Sequence, residues 1–148
     1  MESTDGKSRT IRAVRIIQDM KTHSALAKLE NCNFTNPNNT LGAIYIVRDP
    51  RNVATSFAHH YQMDIDSVIE AMNSEIRCLE ENEHNPSTFI SSWNSNYNSW
   101  KALGDRTLII KYEDMVNKPE ATFRNILETI CERMKIIHSL MEQVLTLS

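Results

Sequence analysis

The clearest apolar block is Ala43-Ile44-Tyr45-Ile46-Val47, short, β-branched in part and apolar at every position. That pattern predicts a strand of a parallel sheet, buried on both faces. Arg48-Asp49-Pro50 follows it and reads as strand end, helix N-cap and proline at the first helical position. A helix is expected from there to about His60. Ile65, Val68, Ile69, Met72, Ile76 and Leu79 recur at helical spacing. They predict a second helix, with Ser67-Val68-Ile69-Glu70 as its capping box. Phe89, Ile90, Trp93, Tyr97 and Trp100 predict a third, closed by Gly104. Thr107-Leu108-Ile109-Ile110-Lys111 is a second short strand. Pro119 opens a fourth helix through Phe123, Ile126, Leu127 and Ile130, and its spacing continues to about Leu145. Strands separated by helices imply a parallel sheet with helices packed on it. Residues 1–10 are polar and expected to be loose, residues 11–30 are ambiguous in type, and Asn31–Thr40 reads as a loop.

The chain of 148 residues is the size of one domain with a real core. Three glycines and four prolines leave little room for a turn-rich all-β protein. A net charge of −3 excludes a surface built to track a nucleic-acid backbone, so any anion site is a local cluster in an acidic background. Cys32, Cys78 and Cys131 are widely spaced and form no CxxC pair. They read as reduced, buried thiols of a cytosolic protein rather than a disulfide frame or a zinc site, and no metal is expected. No apolar run approaches the ~18–20 residues of a membrane span. The polar start Met1–Ser8 is no signal peptide, so a cytoplasmic location is expected. Gly6-Lys7-Ser8 is not a P-loop, because no strand can precede it and the first glycine of that pattern is missing. Asn33-Phe34-Thr35 and Asn38-Asn39-Thr40 fit the glycosylation pattern and read as chance matches in an asparagine-rich loop.

Arg48 stands at the carboxyl end of the first strand, where open α/β sheets bind ligands next to helix N-termini. Its planar fork suits a phosphate or sulfate, and Arg51 would add charge. A pairing of Arg48 with Asp49 or Glu113 fits the position equally well. Ser56 lies roughly 9 Å along the helix from Pro50, which on spacing alone makes it an ordinary helical serine. In Lys21-Thr22-His23, an extended backbone places the ammonium and the imidazole on one side. A helical backbone separates them by about 200°. A histidine can take a proton from an attacking hydroxyl or amine, and a lysine can stabilise charge on a group in transfer. His59-His60 reads as a pair favoured by the helix dipole, and Trp93, Tyr97 and Trp100 as core.

Three segments, in order, resemble the sulfotransferases that use the sulfonate donor PAPS. Tyr45-Ile46-Val47-Arg48-Asp49-Pro50-Arg51-Asn52-Val53-Ala54-Thr55-Ser56 is similar to the 3′-phosphate-binding segment of cytosolic-type and bacterial members. Lys21-Thr22-His23 resembles their Lys-Thr-His, and Lys111-Tyr112-Glu113-Asp114-Met115, followed by Pro119 and Phe123, resembles their Tyr-Glu-Asp-Met segment. The resemblance implies a P-loop NTPase-like three-layer α/β/α fold, helix-rich with a short parallel sheet. It implies that Arg48 and Ser56 bind the 3′-phosphate of PAPS and that Tyr112 helps hold the adenine. It makes His23 the base that deprotonates a small-molecule alcohol or amine, with Lys21 near the sulfonate and no metal. It covers about residues 16–130, between a polar N-terminus (1–15) and a helical tail (131–148) that diverges from the family. Only twenty residues precede Lys21, and none forms the Pro-Lys-Ser-Gly-Thr-type loop for the 5′-phosphosulfate. The glycine-rich Arg-Lys-Gly-type stretch is also missing, so the resemblance is to a member incomplete at both ends. The other readings are a non-catalytic nucleotide-binding remnant and a small helical interaction protein.

Overall fold

A computed structural model describes residues 19–29, 32–33, 35, 40–79 and 88–146. The expectations for residues 1–15, and most of the Asn31–Thr40 loop, lie outside the described residues. In chain order the elements are β1 (Lys28–Leu29), β2 (Cys32–Asn33), β3 (Ala43–Val47), α1 (Pro50–Tyr61), α2 (Ile65–Asn73), β4 (Cys78–Leu79), β5 (Thr88–Phe89), α3 (Trp93–Lys101), β6 (Thr107–Lys111), α4 (Tyr112–Asn117) and α5 (Pro119–Thr146). The fold is α/β, helix-rich with a short parallel sheet. Strands β3 and β6 pair in parallel from Ala43↔Thr107 to Val47↔Lys111. That register decides the site, because it sets the residues after the two strands, Arg48 and Tyr112, side by side at their carboxyl ends.

Helix α1 begins as its sequence predicts. Pro50 holds the first helical position and the Asp49 carboxylate accepts from the Arg51 amide. It ends without a glycine, through Gln62 in the left-handed region at φ 52. Helix α2 packs on α1 and α3 and seals Val68 at 0% exposure, the centre of a small core that also holds Ala25, Ala54, Trp100, Leu103 and Ile110.

The second helix stops well short of Leu79. Ser74 is extended, Arg77 O accepts from the Ile90 and Ser91 amides, and Cys78–Leu79 pairs antiparallel with Thr88–Phe89. The helical spacing of Ile76 and Leu79 was accidental, and Ile76 is 86% exposed. The same hairpin takes Phe89 and Ile90 out of α3, which starts at Trp93. The N-cap of α2 is Asp64, whose carboxylate accepts from the Ser67 amide and hydroxyl, so Ser67-Val68-Ile69-Glu70 is not the capping box. Glu75 accepts hydroxyl hydrogen bonds from Ser91, Ser92 and Ser95, fastening the turn to the start of α3. Those bonds, from Ser95 first, hold its carboxyl below the usual range.

Two further expectations change. Strand β3 is not buried on both faces: Tyr45 packs edge-on against Tyr97 of α3, while Ile44 and Ile46 on the opposite face are 41% and 51% exposed. Cys78 and Cys131 are free but exposed, because β4 is a two-residue strand and Cys131 lies on the solvent side of α5. Helix α5 turns Ile126 and Arg133 toward the body, Arg133 donating to Asp105 O, and leaves Phe123, Leu127, Ile130 and Met134 exposed. Gly104 does follow α3 in the left-handed region, at φ 57.

Candidate functional site

The carboxyl end of the parallel pair gathers one group of the expected residues. Arg48 lies with its guanidinium 4.7 Å from the centre of the Tyr112 ring, a cation–π distance. Glu113, the next residue, accepts from the Asp49 amide at 3.1 Å and so fixes the peptide bond that follows Arg48. That bond holds the Glu113 carboxyl below its ordinary value. Of the alternative pairing of Arg48 with Asp49 or Glu113, no close ion pair forms, though the Arg48 charge also helps to hold the Glu113 carboxyl down. No described carboxylate makes an ion pair with Arg48.

Asp49 pairs instead with Arg51, at 2.6 Å. Arg51 therefore adds no free charge beside Arg48: its side chain is 89% exposed and held by the cap. The cap also occupies the start of α1, so an anion at Arg48 has to lie alongside the helix rather than on its first amides. A shallow groove runs there. Its volume is about 230 Å³ and Arg48, Val53, Ser56, Phe57, His60 and Tyr61 line it. Ser56 thus shares a groove with Arg48. Val53, Ser56, Phe57 and His60 stand at i, i+3, i+4 and i+7, one face of α1.

The cap itself is testable by titration. The Arg51 side-chain hydrogen bonds pull the Asp49 carboxyl down from 3.8 to about 2. A depressed carboxyl contributes stability above its unfolded value, and that contribution fades as pH falls through the folded one. The Asp49 carboxyl resonance should hence titrate near 2, and in Arg51→Ala return toward 3.8. A wild-type midpoint at the ordinary value would remove the pair.

Lys21, Thr22 and His23 lie outside any helix, and exposure alternates along them, high at Lys21 and His23 and lower at Thr22. This removes the helical alternative and leaves Lys21 and His23 on one side. Their backbone is pinned. Thr22 Oγ1 accepts from the Ser24 amide, the His23 carbonyl accepts from Asn96 Nδ2 at 3.1 Å, and the Ala25 amide donates to Phe89 O. Trp100 Nε1 donates to Ser24 O at 2.9 Å, and Leu26 N to Ser99 Oγ at 2.9 Å. Lys21 and His23 do not line the groove that Arg48 and Ser56 share. What joins the two groups is Asn96, whose Oδ1 accepts from Tyr45 OH at 3.0 Å.

Two residues of the site were not read as such: His60, which does stand in the last turn of α1 as its dipole reading expects, and Asn96. His60 lines the groove and meets Tyr61 edge-on at 4.7 Å. Its signal was the four-residue step from Ser56, which places both on one helical face. Asn96 gave no signal, because nothing in the pattern announces which helical asparagine reaches a strand. Arg77 adds a second cation nearby, stacked 4.8 Å over the Phe57 ring. Among the described residues no group of His, Cys, Asp and Glu could hold a metal ion, and no described helix is long and apolar enough to cross a membrane.

A comparison with curated proteins returns no match. Comparison with protein families matches the sulfotransferase domain to residues 2–139. With nearly the whole sequence inside that match, the chain belongs to the sulfotransferase domain family, whose chemistry is sulfonate transfer.

Proposed function

We propose that this chain transfers the sulfonate group of PAPS to the hydroxyl or amine of a small-molecule acceptor. The observation that carries the reading is the groove beside α1, where Arg48 makes no close ion pair with any described carboxylate and lines the same space as Ser56. Arg48 and Ser56 would take the 3′-phosphate, the guanidinium through paired charge-assisted bonds and the hydroxyl through one more. Tyr112, with the guanidinium on one face, would meet the adenine on the other. The P-loop-like three-layer arrangement, a cytoplasmic location and independence from metal belong to the same reading.

In the transfer step the acceptor oxygen or nitrogen gives its proton to His23 and forms a bond to sulfur. The bond from sulfur to the phosphate oxygen breaks on the opposite side, and PAP leaves with its electron pair. Lys21 offsets the charge on the sulfonate oxygens. Such a step is governed by in-line placement and charge stabilisation, as in phosphoryl transfer.

Calorimetry with PAP, and with adenosine 5′-phosphate beside it, tests the donor half. PAP is expected to bind the more tightly, and Arg48→Ala to lose affinity by about tenfold to a hundredfold, the worth of charge-assisted hydrogen bonds. Arg48→Lys keeps the charge without the fork and should fall between. Equal affinity for both nucleotides, or an unaffected Arg48→Ala, would sink the assignment.

A further inference from the structure

We propose that Asn96 is a positioning residue, the joint that holds the Lys21–His23 segment in register with the strand ending at Arg48. The inference rests on the roles given above to His23 and Arg48, but its geometry stands apart from them. The carboxamide has every function engaged. Oδ1 accepts from Tyr45 OH at 3.0 Å, and Nδ2 donates to His23 O at 3.1 Å and to Ile90 O at 2.8 Å. A carboxamide offers two N–H donors and an acceptor at once, which a carboxylate or a hydroxyl does not. Tyr45 lies on β3, three residues before Arg48. A line of bonds therefore runs from the strand that ends in the anion site, through Asn96, to the carbonyl of the residue that carries the imidazole. Burial raises the Tyr45 phenol above its ordinary value, so it stays protonated and donates.

Asn96 does not act alone in fixing the segment, but it bonds both the segment and Tyr45 of β3, which Tyr97 also meets through ring packing. Ser99 and Trp100, three and four residues on, project from the same helical face and bond Leu26 N and Ser24 O. Those two hold the segment to α3. Trp100 O also ties α3 to β6 through Thr107 Oγ1, but Asn96 links the His23 carbonyl directly to the strand that ends at Arg48, and so helps set where His23 stands relative to Arg48.

The decisive variant is Asn96→Asp, which keeps the acceptor and the size but removes both donors, with Tyr45→Phe removing only the phenol. Amide hydrogen exchange is measured on all three chains. Asn96→Asp should speed exchange at Ala25 and Leu26 by about tenfold, the worth of one or two lost hydrogen bonds, and leave the β3–β6 amides unchanged. Tyr45→Phe should move them the same way by less. In transfer assays Asn96→Asp should lower kcat by about tenfold through misplacement of the base, at an unchanged KM for PAPS. Exchange that is unaltered at Ala25 and Leu26, or raised equally throughout, overturns the proposal; so does an unchanged kcat. If the wild-type chain transfers no sulfonate, the transferase reading fails, and the exchange measurement still decides what Asn96 does.

Discussion

Replacing His23 by alanine is expected to lower kcat for sulfonate transfer by about 10²–10⁴-fold, the usual worth of a general base, while leaving PAP affinity unchanged. The split follows from the geometry. The backbone of His23 is pinned by Asn96 at its carbonyl and by the turn from Thr22 to Ser24. The ring is exposed, and no described residue bonds to it. A fixed backbone under an unengaged imidazole suits a group that has to meet an incoming acceptor and take its proton. The proposed donor half lies in another place, in the groove beside α1 that Arg48 and Ser56 line. On that proposal, truncating the imidazole removes the proton acceptor and leaves the phosphate contacts intact. Turnover and calorimetry on one preparation check both halves. Transfer that survives in His23→Ala would assign the proton to another group or to water. Lost PAP binding would show that His23 belongs to the donor site, against the placement described above.

How much of this was legible depended on the range of the interaction that decides each feature. Strands β3 and β6 and helix α1 are set by local signals: an apolar run, then Asp-Pro as cap and first helical residue. They formed within a residue of expectation. Helices α2 and α3 were read too long because their spacing extends through Leu79 and begins at Phe89. The β4–β5 hairpin and the grip of three serines on Glu75 override that spacing, and both depend on partners well beyond one helical turn away in the chain. Arg48 was legible from its place at the strand end, but Tyr112 beside it only by resemblance. No local rule brings positions 48 and 112 together; the parallel register from Ala43↔Thr107 does. Ser56 shows the reverse case. Its distance along the helix argued against an anion site placed on the first amides, but the Asp49 cap fills that place and moves the open groove alongside the helix, where Ser56 lies.

Trp100→Ala is expected to cost about 3–5 kcal/mol of folding stability, the range for truncating a buried aromatic. That is a large share of the roughly 5–15 kcal/mol available to a domain, and should lower Tm by about 10 °C or more in a chain of this size. The indole is 8% exposed in a core whose only fully sealed side chain among the described residues is Val68. It also does two jobs that a smaller residue cannot. Nε1 holds Ser24 O at 2.9 Å, and the bulk fills the space between α3 and the segment after His23. Trp100→Phe separates these contributions: it keeps most of the apolar surface but leaves the Ser24 carbonyl without its donor, a loss of about 1–3 kcal/mol. Its thermal midpoint should fall between wild type and Trp100→Ala. The backbone of Trp100 adds a third tie, because its carbonyl accepts from Thr107 Oγ1 at 2.7 Å at the start of β6. Neither variant breaks that bond, so the sheet register should persist in whatever fraction stays folded, and amide exchange on β6 would report it. A midpoint for Trp100→Ala equal to wild type would mean that α3 does not anchor residues 23–26, and with it the basis for a fixed His23 would go.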